Sequence, residues 1–347
     1  MSEITIRQSI QKGLAEALDA DPNVFIMGED IGDYGGAYAI TSGFLEKYGP
    51  ERIKDTPISE AAFIGAGIGS AAAGLKPIIE LMSISFSLVA FDQIVNMAAN
   101  IRYMSGGQID VPMVIRAPTG AGMQLGATHS QSFETWLCEV PGLKVVAPSN
   151  PSDALGLIRS SINDPNPVIY AESAGLYGLK GEVSDKYYEV QIGKANIKIN
   201  GDDITLVSYG HGMPMLEKVA EELDSRGVSC EVIDLRSLSP MDYETVNKSV
   251  QKTGRALLLD TSRKTGGVMA ELAASVQESS GDYLDGPLLR VGSEDVPWPY
   301  NRKLEQHAMA SVPKILKQIE IGYSCLLYTS DAADEGLGVD LGGRRII

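Results

Sequence analysis

Hydrophobic and polar residues in the first half of the chain alternate between a helical and an extended pattern. Apolar residues spaced by four follow Thr5 and predict an amphipathic helix that Thr5 caps, with the buried positions Ile6, Ile10, Leu14 and Leu18. Short apolar runs predict buried strands at 23–28, 76–82, 111–118, 143–148 and 167–172. Helical stretches are expected at about 60–73, 86–104 and 149–164. This βα rhythm is typical of a parallel sheet with helices on both faces.

The pattern pauses between about Gly175 and Gly201 and then restarts. Further strands are predicted at 202–210, 230–235, 256–261 and 288–292, and further helices at about 213–226, 243–253 and 268–278. We therefore predict an α/β fold of two three-layer α/β/α domains. The first would span 1–180, a linker would follow at 181–200, and the second, smaller domain would span 201–323.

The residues after Tyr323 have no useful periodicity. Among them, CLLYTSDAADE resembles translated sequencing-adapter sequence. We interpret 324–347 as a non-native tail and leave it out of the fold prediction. A genuine disordered tail is the alternative.

Composition narrows the classes of function. The 347 residues include 29 basic and 45 acidic side chains, a net charge of −16. This charge argues against nucleic-acid binding, although an acidic surface could dock a basic protein partner. No apolar run approaches the roughly 18 residues of a membrane span. With neither a signal nor a transit peptide pattern, and with three scattered cysteines (Cys138, Cys230 and Cys325), the sequence predicts a cytoplasmic, bacterial protein.

Glu60 stands before fourteen residues without charge, ten of which are Gly or Ala. A glutamate in the first turn of a helix is favoured by the helix dipole alone, with Ser59 or Thr56 as the cap. Each glycine weakens a helix by ~1 kcal/mol relative to alanine. We therefore expect another backbone or a ligand to approach closely at Gly65, Gly67, Gly69 and Gly74.

His129 lies in a second candidate segment, the Gly-rich loop 120–136, and is followed by Ser130 and Gln131. Loops after strand ends carry site residues in α/β folds, and a hydrogen-bonded surface histidine is the alternative. A third segment, 160–167, holds Asp164 and Asn166 around a proline. It suits an ordinary turn, or a monovalent cation held by carbonyls and a carboxylate. Gly106 and Gly107 fit a helix end.

Familiar signatures of other enzyme classes are missing. The sequence has no dinucleotide-binding G-x-G-x-x-G after a strand, no Walker A sequence, no G-x-S-x-G and no H-E-x-x-H. Other segments do carry a resemblance: MGEDIGDYGGAY, DTPISEAAFIGAGIGSAAAGLKPIIE, FDQIVN, RYMSGG, HSQS, PGLKVVAPSNPSDALGLI and DVPWPY. Over about 3–321, the chain resembles the β subunit of 2-oxoacid dehydrogenase E1 components, a thiamine-diphosphate family.

The resemblance implies a division of labour between two subunits. An α2β2 heterotetramer would hold thiamine diphosphate between an α-subunit domain and the transketolase-like pyrimidine-binding domain of this chain. The α subunit would hold Mg²⁺ with a G-D-G…N motif, which NGDDIT at 200–205 does not match. The chain would then be active only with its α subunit.

The resemblance also assigns roles to individual residues. Glu60 would hydrogen-bond the aminopyrimidine ring nitrogen N1′ from a shielded position with a raised pKa, Phe86 would pack on that ring, and His129 would position substrate and assist acyl transfer. A family K⁺ site maps onto Met113, Ser161, Ile162, Asp164 and Asn166, the first three through backbone carbonyls.

The smaller domain resembles the transketolase C-terminal domain, which would join subunits and dock the basic subunit-binding domain of lipoyl E2. Pyruvate is the expected 2-oxoacid substrate, with branched-chain 2-oxoacid and acetoin enzymes as close alternatives. A transketolase-like scaffold without catalysis is the alternative of another class.

Overall fold

A computed structural model of the chain describes residues 1–324. The strands are β1 (Ser2–Thr5), β2 (Val24–Gly28), β3 (Ile53–Asp55), β4 (Lys76–Glu80), β5 (Val114–Thr119), β6 (Lys144–Val146), β7 (Val168–Ser173), β8 (Lys180–Val183), β9 (Asn196–Ile199), β10 (Ile204–Ser208), β11 (Cys230–Asp234), β12 (Ser237–Ser239), β13 (Ala256–Arg263) and β14 (Leu289–Ser293).

The α-helices alternate with these strands, as the sequence predicts. They are α1 (Ile6–Ala20), α2 (Phe44–Tyr48), α3 (Glu60–Ala72), α4 (Ile101–Met104), α5 (Glu134–Cys138), α6 (Pro151–Asn163), α7 (Met213–Asp224), α8 (Tyr243–Thr253), α9 (Val268–Ser280), α10 (Arg302–Ala308) and α11 (Val312–Gly322). The predicted cap of α1 is confirmed, because the Thr5 hydroxyl accepts the N–H of Gln8 and the Gln8 side chain accepts the N–H of Thr5.

The first sheet has the order β12-β6-β7-β5-β4-β2-β3 and is parallel except for β12. Helices α1 and α6 pack together on one face, while α3 packs on β4 and β2 from the other. Gly13 permits the close approach of α1 to α6, because a Cβ there would lie 2.3 Å from Ile158 Cγ2. This is the predicted three-layer arrangement.

The second sheet has the order β14-β13-β10-β11-β9, with only β9 antiparallel to its neighbour. Helices α7 and α11 form one outer layer, and α8 and α9 the other. One hydrophobic core joins the two sheets, since Ile64 of α3 and Val207 of β10 belong to the same buried cluster. Strand β12 strengthens the junction because it pairs with β6 of the first sheet.

The prediction of one long helix over 86–104 is wrong. The chain instead forms a 3-10 helix at Ile84–Ala90, a π-helical turn at Gln93–Ala98 and then the short α4. The Asn100 side-chain amide donates to the Val95 carbonyl at 2.8 Å, and the Ala99 N–H reaches Ile94 at 3.1 Å. Side-chain competition for backbone carbonyls disturbs the regular helical ladder here.

The predicted linker 181–200 contains most of β8 and all of β9, and the domain limits stay a prediction. Apart from Ser324, the predicted tail lies outside the described residues. Within residues 1–324, no single helix has the length and apolarity to cross a membrane. One pair, Ile84–Ala90 with Gln93–Met104, meets those criteria only jointly and bends by 76° between its parts.

Candidate active site

Glu60 is the first residue of α3, at the carboxyl-end edge of the parallel strands β3, β2 and β4. Its side chain is buried, with 5% of its surface exposed. Ser59 occupies the N-cap position but makes no side-chain capping bond within residues 1–324. The positive end of the helix dipole therefore faces a carboxylate that is shielded from bulk water, as expected.

Glu29 is a second buried carboxyl in this region, and it was not predicted from the sequence. It follows β2 directly and is 4% exposed, and its Oε1 atom has no partner in the described part of the chain. Burial raises the pKa of Glu29, and the charge of Glu60 raises it further. The two carboxyls therefore interact. The available sequence signal was MGED, in which an acid comes directly after a buried strand.

Two glycines of α3 are closely approached by side chains, rather than by the backbone or ligand that was expected. A Cβ on Gly67 would lie 2.8 Å from Ile79 Cδ1, and one on Gly65 would lie 3.1 Å from Gln93 Oε1. Gly69 faces open space. Gly74 lies beyond the helix with φ of +93°. Within residues 1–324 nothing lies within 4 Å of a Cβ at either position, so close approach at Gly69 and Gly74 stays a prediction.

Phe86 and His129 meet beside α3, the helix that begins with Glu60. The 3-10 helix that carries Phe86 packs against α3, and Ser83 begins it by accepting the N–H of Ser85 at 3.2 Å. The Phe86 and His129 rings stand edge to face, with centroids 5.3 Å apart. His129 is exposed, and its Nδ1 lies 2.9 Å from the Thr128 hydroxyl. The structure thus gathers two sequence-predicted side chains, one aromatic and one polar.

The His129 loop leaves from the end of β5 and returns at the start of α5. Thr119 Oγ1 donates to Glu134 Oε1 at 2.6 Å across the two ends of the loop. Burial raises the pKa of Glu134 to about 7, with a further contribution from the charge of Asp260. Glu134 was not identified from the sequence, where an acid beside an aromatic residue gives no specific signal.

A buried cluster of ion pairs links the central strands β4, β5 and β7 of the first sheet. Arg116 of β5 donates through Nε and Nη2 to the two carboxylate oxygens of Glu172 on β7, both at 2.7 Å, and also pairs with Glu80 of β4. The Tyr177 hydroxyl donates to Glu172 at 2.5 Å. Arg116 is 1% exposed, so these bonds tie together three strands from within the core. A lone arginine in the apolar run 111–118 was the missed signal.

The residues of the predicted cation site lie at the opposite ends of the strands, just before β5 and β7 begin. Met113, Ser161 and Ile162 are buried, and the Met113 carbonyl accepts the N–H of Val168 at 2.9 Å. The Asp164 Oδ1 atom accepts both the backbone and the side-chain N–H of Asn166 at 2.9 Å. Its Oδ2 atom pairs with the Lys144 ammonium, a contact that sequence reasoning did not foresee.

The remaining positions are a glycine pair and two histidines. Gly106 and Gly107 follow α4 with φ of +65° and +80°, which confirms their interpretation as a helix end. His211 occupies a 3-10 turn before α7, where burial lowers its pKa. His307 is exposed on α10.

Comparison with known proteins gives two family matches. The Transketolase, pyrimidine binding domain family matches residues 2–180, and the Transketolase, C-terminal domain family matches residues 193–315. Among solved structures, a split-gene transketolase described as an inactive beta4 tetramer aligns with a TM-score of 0.75 at 20% identity, over 92% of this chain and 98% of the other. Transketolase from Campylobacter jejuni aligns with a TM-score of 0.66 at 15% identity, over 92% and 46%. These structures support the fold.

Curated relatives are much more similar in sequence. Pyruvate dehydrogenase E1 component subunit beta-1, mitochondrial, of Arabidopsis thaliana is 47% identical over 91% of this chain and 88% of the relative. The corresponding beta subunit of Rhizobium meliloti (strain 1021) is 43% identical over 92% and 70%, and that of Staurastrum punctulatum is 43% identical over 92% and 98%. The chain therefore belongs to the family of pyruvate dehydrogenase E1 component β subunits, which is built on transketolase domains and depends on thiamine diphosphate.

Proposed function

We propose that this chain is the β subunit of an E1 component that decarboxylates pyruvate and passes the acetyl group to lipoyl E2. The observation that carries the proposal is the buried Glu60, which begins the otherwise charge-free helix α3, together with the 3-10 helix that packs against α3 and carries Phe86 to its ring contact with His129. A carboxyl held in this way can share a proton with a ring nitrogen while water is kept away.

The surroundings of Glu60 suit the pyrimidine end of thiamine diphosphate. Several nearby polar atoms are buried without a partner in residues 1–324: Glu29 Oε1, Thr56 Oγ1, Ser85 Oγ and Ser87 Oγ. Buried polar atoms are normally paired, so this group favours a ligand or ordered water at the edge of the sheet. Phe86 is half-buried and offers an apolar surface to a flat ring.

When bound, thiamine diphosphate supplies the electron-accepting centre that 2-oxoacid decarboxylation requires. Glu60 would hydrogen-bond the ring nitrogen N1′ from its buried position at the start of α3. Phe86 would pack on the ring and orient it. His129 lies on the exposed side of Phe86, where it can orient the substrate and the acyl acceptor.

An α subunit completes the proposed site. It would hold the diphosphate and Mg²⁺, because NGDDIT in this chain lacks the second glycine and the asparagine of the family motif. The exposed face of α3 and of its C-cap residue supports docking, since its exposed residues are small and uncharged: Ala61, Ala62, Ala66, Gly69, Ala72 and Ala73. Leu88 and Val89 on the adjoining 3-10 helix are also exposed. We place the α2β2 contacts on this surface.

We also propose a structural K⁺ held by the Met113, Ser161 and Ile162 carbonyls together with Asp164 and Asn166. A carbonyl with one hydrogen bond still has a lone pair for a cation. Because Lys144 already balances the charge of Asp164, the remaining ligands favour a monovalent ion over a divalent one. For E2, the net charge of −16 supports docking of its basic subunit-binding domain on the second unit.

Reconstitution with the α partner, thiamine diphosphate and Mg²⁺ tests the proposal. Turnover of pyruvate, 2-oxoisovalerate and acetoin should be compared, with pyruvate expected to react fastest. Faster turnover of either alternative would reassign the substrate. An assembled complex that binds no thiamine diphosphate would support the non-catalytic scaffold instead.

A further inference from the structure

We propose that Glu305 and Arg263, from the unit that carries the second sheet, are positioning residues for the loop that bears His129. The inference rests on the proposed function for the role of His129. Neither residue touches the candidate cofactor face; each acts through the loop backbone or through Gln131.

Glu305 of α10 is a buried carboxylate whose described partners belong to that loop. It is 1% exposed, and its Oε1 atom accepts the N–H of Gly122 at 3.0 Å and the N–H of Gln124 at 3.2 Å. Its Oε2 atom also lies 3.2 Å from the Gln124 nitrogen. A buried charge requires such donors, so the loop and the carboxylate stabilise each other.

The loop backbone adopts an uncommon conformation that suits this carboxylate. Gly122 has φ of +108° and Gln124 has φ of +57°, both in the left-handed region. A non-glycine residue there is strained and persists only when its surroundings hold it. The left-handed turns bring two N–H groups toward one anion, and Glu305 supplies that anion.

Arg263, the last residue of β13, holds the other side of the loop. Its Nη1 atom donates to Gln131 Oε1 at 2.9 Å, and the Gln131 Nε2 atom donates to the Ala127 carbonyl at 2.8 Å. Gln131 is thus fixed at both ends of its amide. Because His129 lies between Ala127 and Gln131 in sequence, these two hydrogen bonds restrict where its ring can lie.

The two contacts give the second unit a role in the reaction itself. The loop has glycines at 120, 122 and 126, so it has little rigidity of its own. Glu305 and Arg263 supply the missing restraint from outside the first sheet, and they hold His129 edge-on to Phe86. Small displacements of a positioned group reduce rates steeply.

The test uses the assembled α/β complex with Glu305→Ala, Glu305→Gln and Arg263→Ala. Glu278→Ala, an exposed change on the same unit, is the matched control. We measure C2 proton exchange of thiamine diphosphate, acetyl transfer from pyruvate to lipoamide, and amide hydrogen exchange of residues 120–132. For Glu305→Ala and Arg263→Ala we expect transfer to fall about tenfold, faster amide exchange confined to the loop, and C2 exchange within about twofold of the unmodified complex.

Glu305→Gln should recover most of the transfer rate, because its amide oxygen still accepts a loop N–H. Unchanged transfer and loop protection in both alanine variants would overturn the inference, as would an equal loss of C2 exchange and transfer, which indicates a general folding role. If Glu305→Ala does not assemble, the transfer rates and loop protection of Arg263→Ala and Glu305→Gln test the inference instead. A failure of the proposed function is distinct, since the unmodified complex would then bind no thiamine diphosphate although loop protection could still be compared.

Discussion

The His129 ring stands edge to face on the Phe86 ring, at an interplanar angle of 88° and a centroid separation of 5.3 Å. The two residues come from different loops of the first sheet, 43 positions apart in the chain. Phe86 is anchored by its helix against α3, whereas His129 is carried by a glycine-rich loop. The contact joins the proposed ring-binding surface to the proposed group for acyl transfer.

Removing the aromatic side chain of Phe86 should weaken cofactor binding. We expect Phe86→Ala to weaken thiamine diphosphate binding by about tenfold, because stacking of an aromatic ring contributes on the order of 1 kcal/mol beyond its buried area. Calorimetric titration of the assembled complex measures this. Phe86→Leu is the control for apolar volume, and equal binding by the alanine variant would contradict the packing role.

Glu60→Gln should leave assembly intact and abolish C2 proton exchange. The amide has nearly the same shape but cannot hold the proton that the ring nitrogen must share. Exchange is followed by NMR in the assembled complex. Glu46→Gln, an exposed change on α2, should exchange at the normal rate. Normal exchange in Glu60→Gln would defeat the role assigned to this residue.

Glu134 should make folding stability depend on pH. Burial raises its pKa from 4.5 to about 7, so between these values the folded chain binds more protons than the unfolded chain. Its contribution is full below about pH 4.5 and is lost as the pH rises through 7. The loss is on the order of 3 kcal/mol by pH 8.

Glu134→Gln does not ionise and should lose less stability over this pH range. Urea unfolding at pH 5, 6, 7 and 8 provides the comparison. Asp234, whose pKa burial also raises to about 7, is present in both proteins, so its contribution cancels in the difference. Parallel curves for the two proteins would show that Glu134 does not titrate in this range.

Breaking the buried Arg116 cluster should strongly destabilise the first unit. Arg116→Met leaves Glu172 and Glu80 as buried charges without their cation, a loss of about 3–5 kcal/mol. Urea unfolding measures the change. Lys248→Met removes the exposed pair with Glu244 and should have little measurable effect. A similar small effect for Arg116→Met would mean that the cluster is not needed for stability.

The proposed cation site predicts a specific salt effect. Replacing K⁺ with tetramethylammonium at equal ionic strength should lower the Tm by several degrees, because a cation that binds only the folded state stabilises it. Asp164→Asn should remove this difference. Lys144→Met, which loses the same ion pair but retains the carboxylate, should keep it. If the Tm of the unmodified protein is the same in both salts, the proposed K⁺ site is absent.

The sequence pattern located most regular elements because their buried faces recur with the period of a helix or strand. Helix α8 was predicted with its observed ends, and α1 with its cap. The short helices α2, α5 and α10 were missed, since five to seven residues carry too little periodicity. The interruption of 86–104 also went unpredicted, because it depends on side-chain competition for particular carbonyls.

Local periodicity and motifs continuous in the chain were enough to predict the α/β architecture and to single out Glu60 and His129, and the family resemblance carried by those motifs added Phe86. Which distant side chains meet depends instead on the tertiary packing. The contact of Glu305 with Gly122 spans 183 positions, and Arg263 reaches Gln131 over 132. Such pairs leave no periodic signal, since their proximity arises from the packing of one sheet unit against the other.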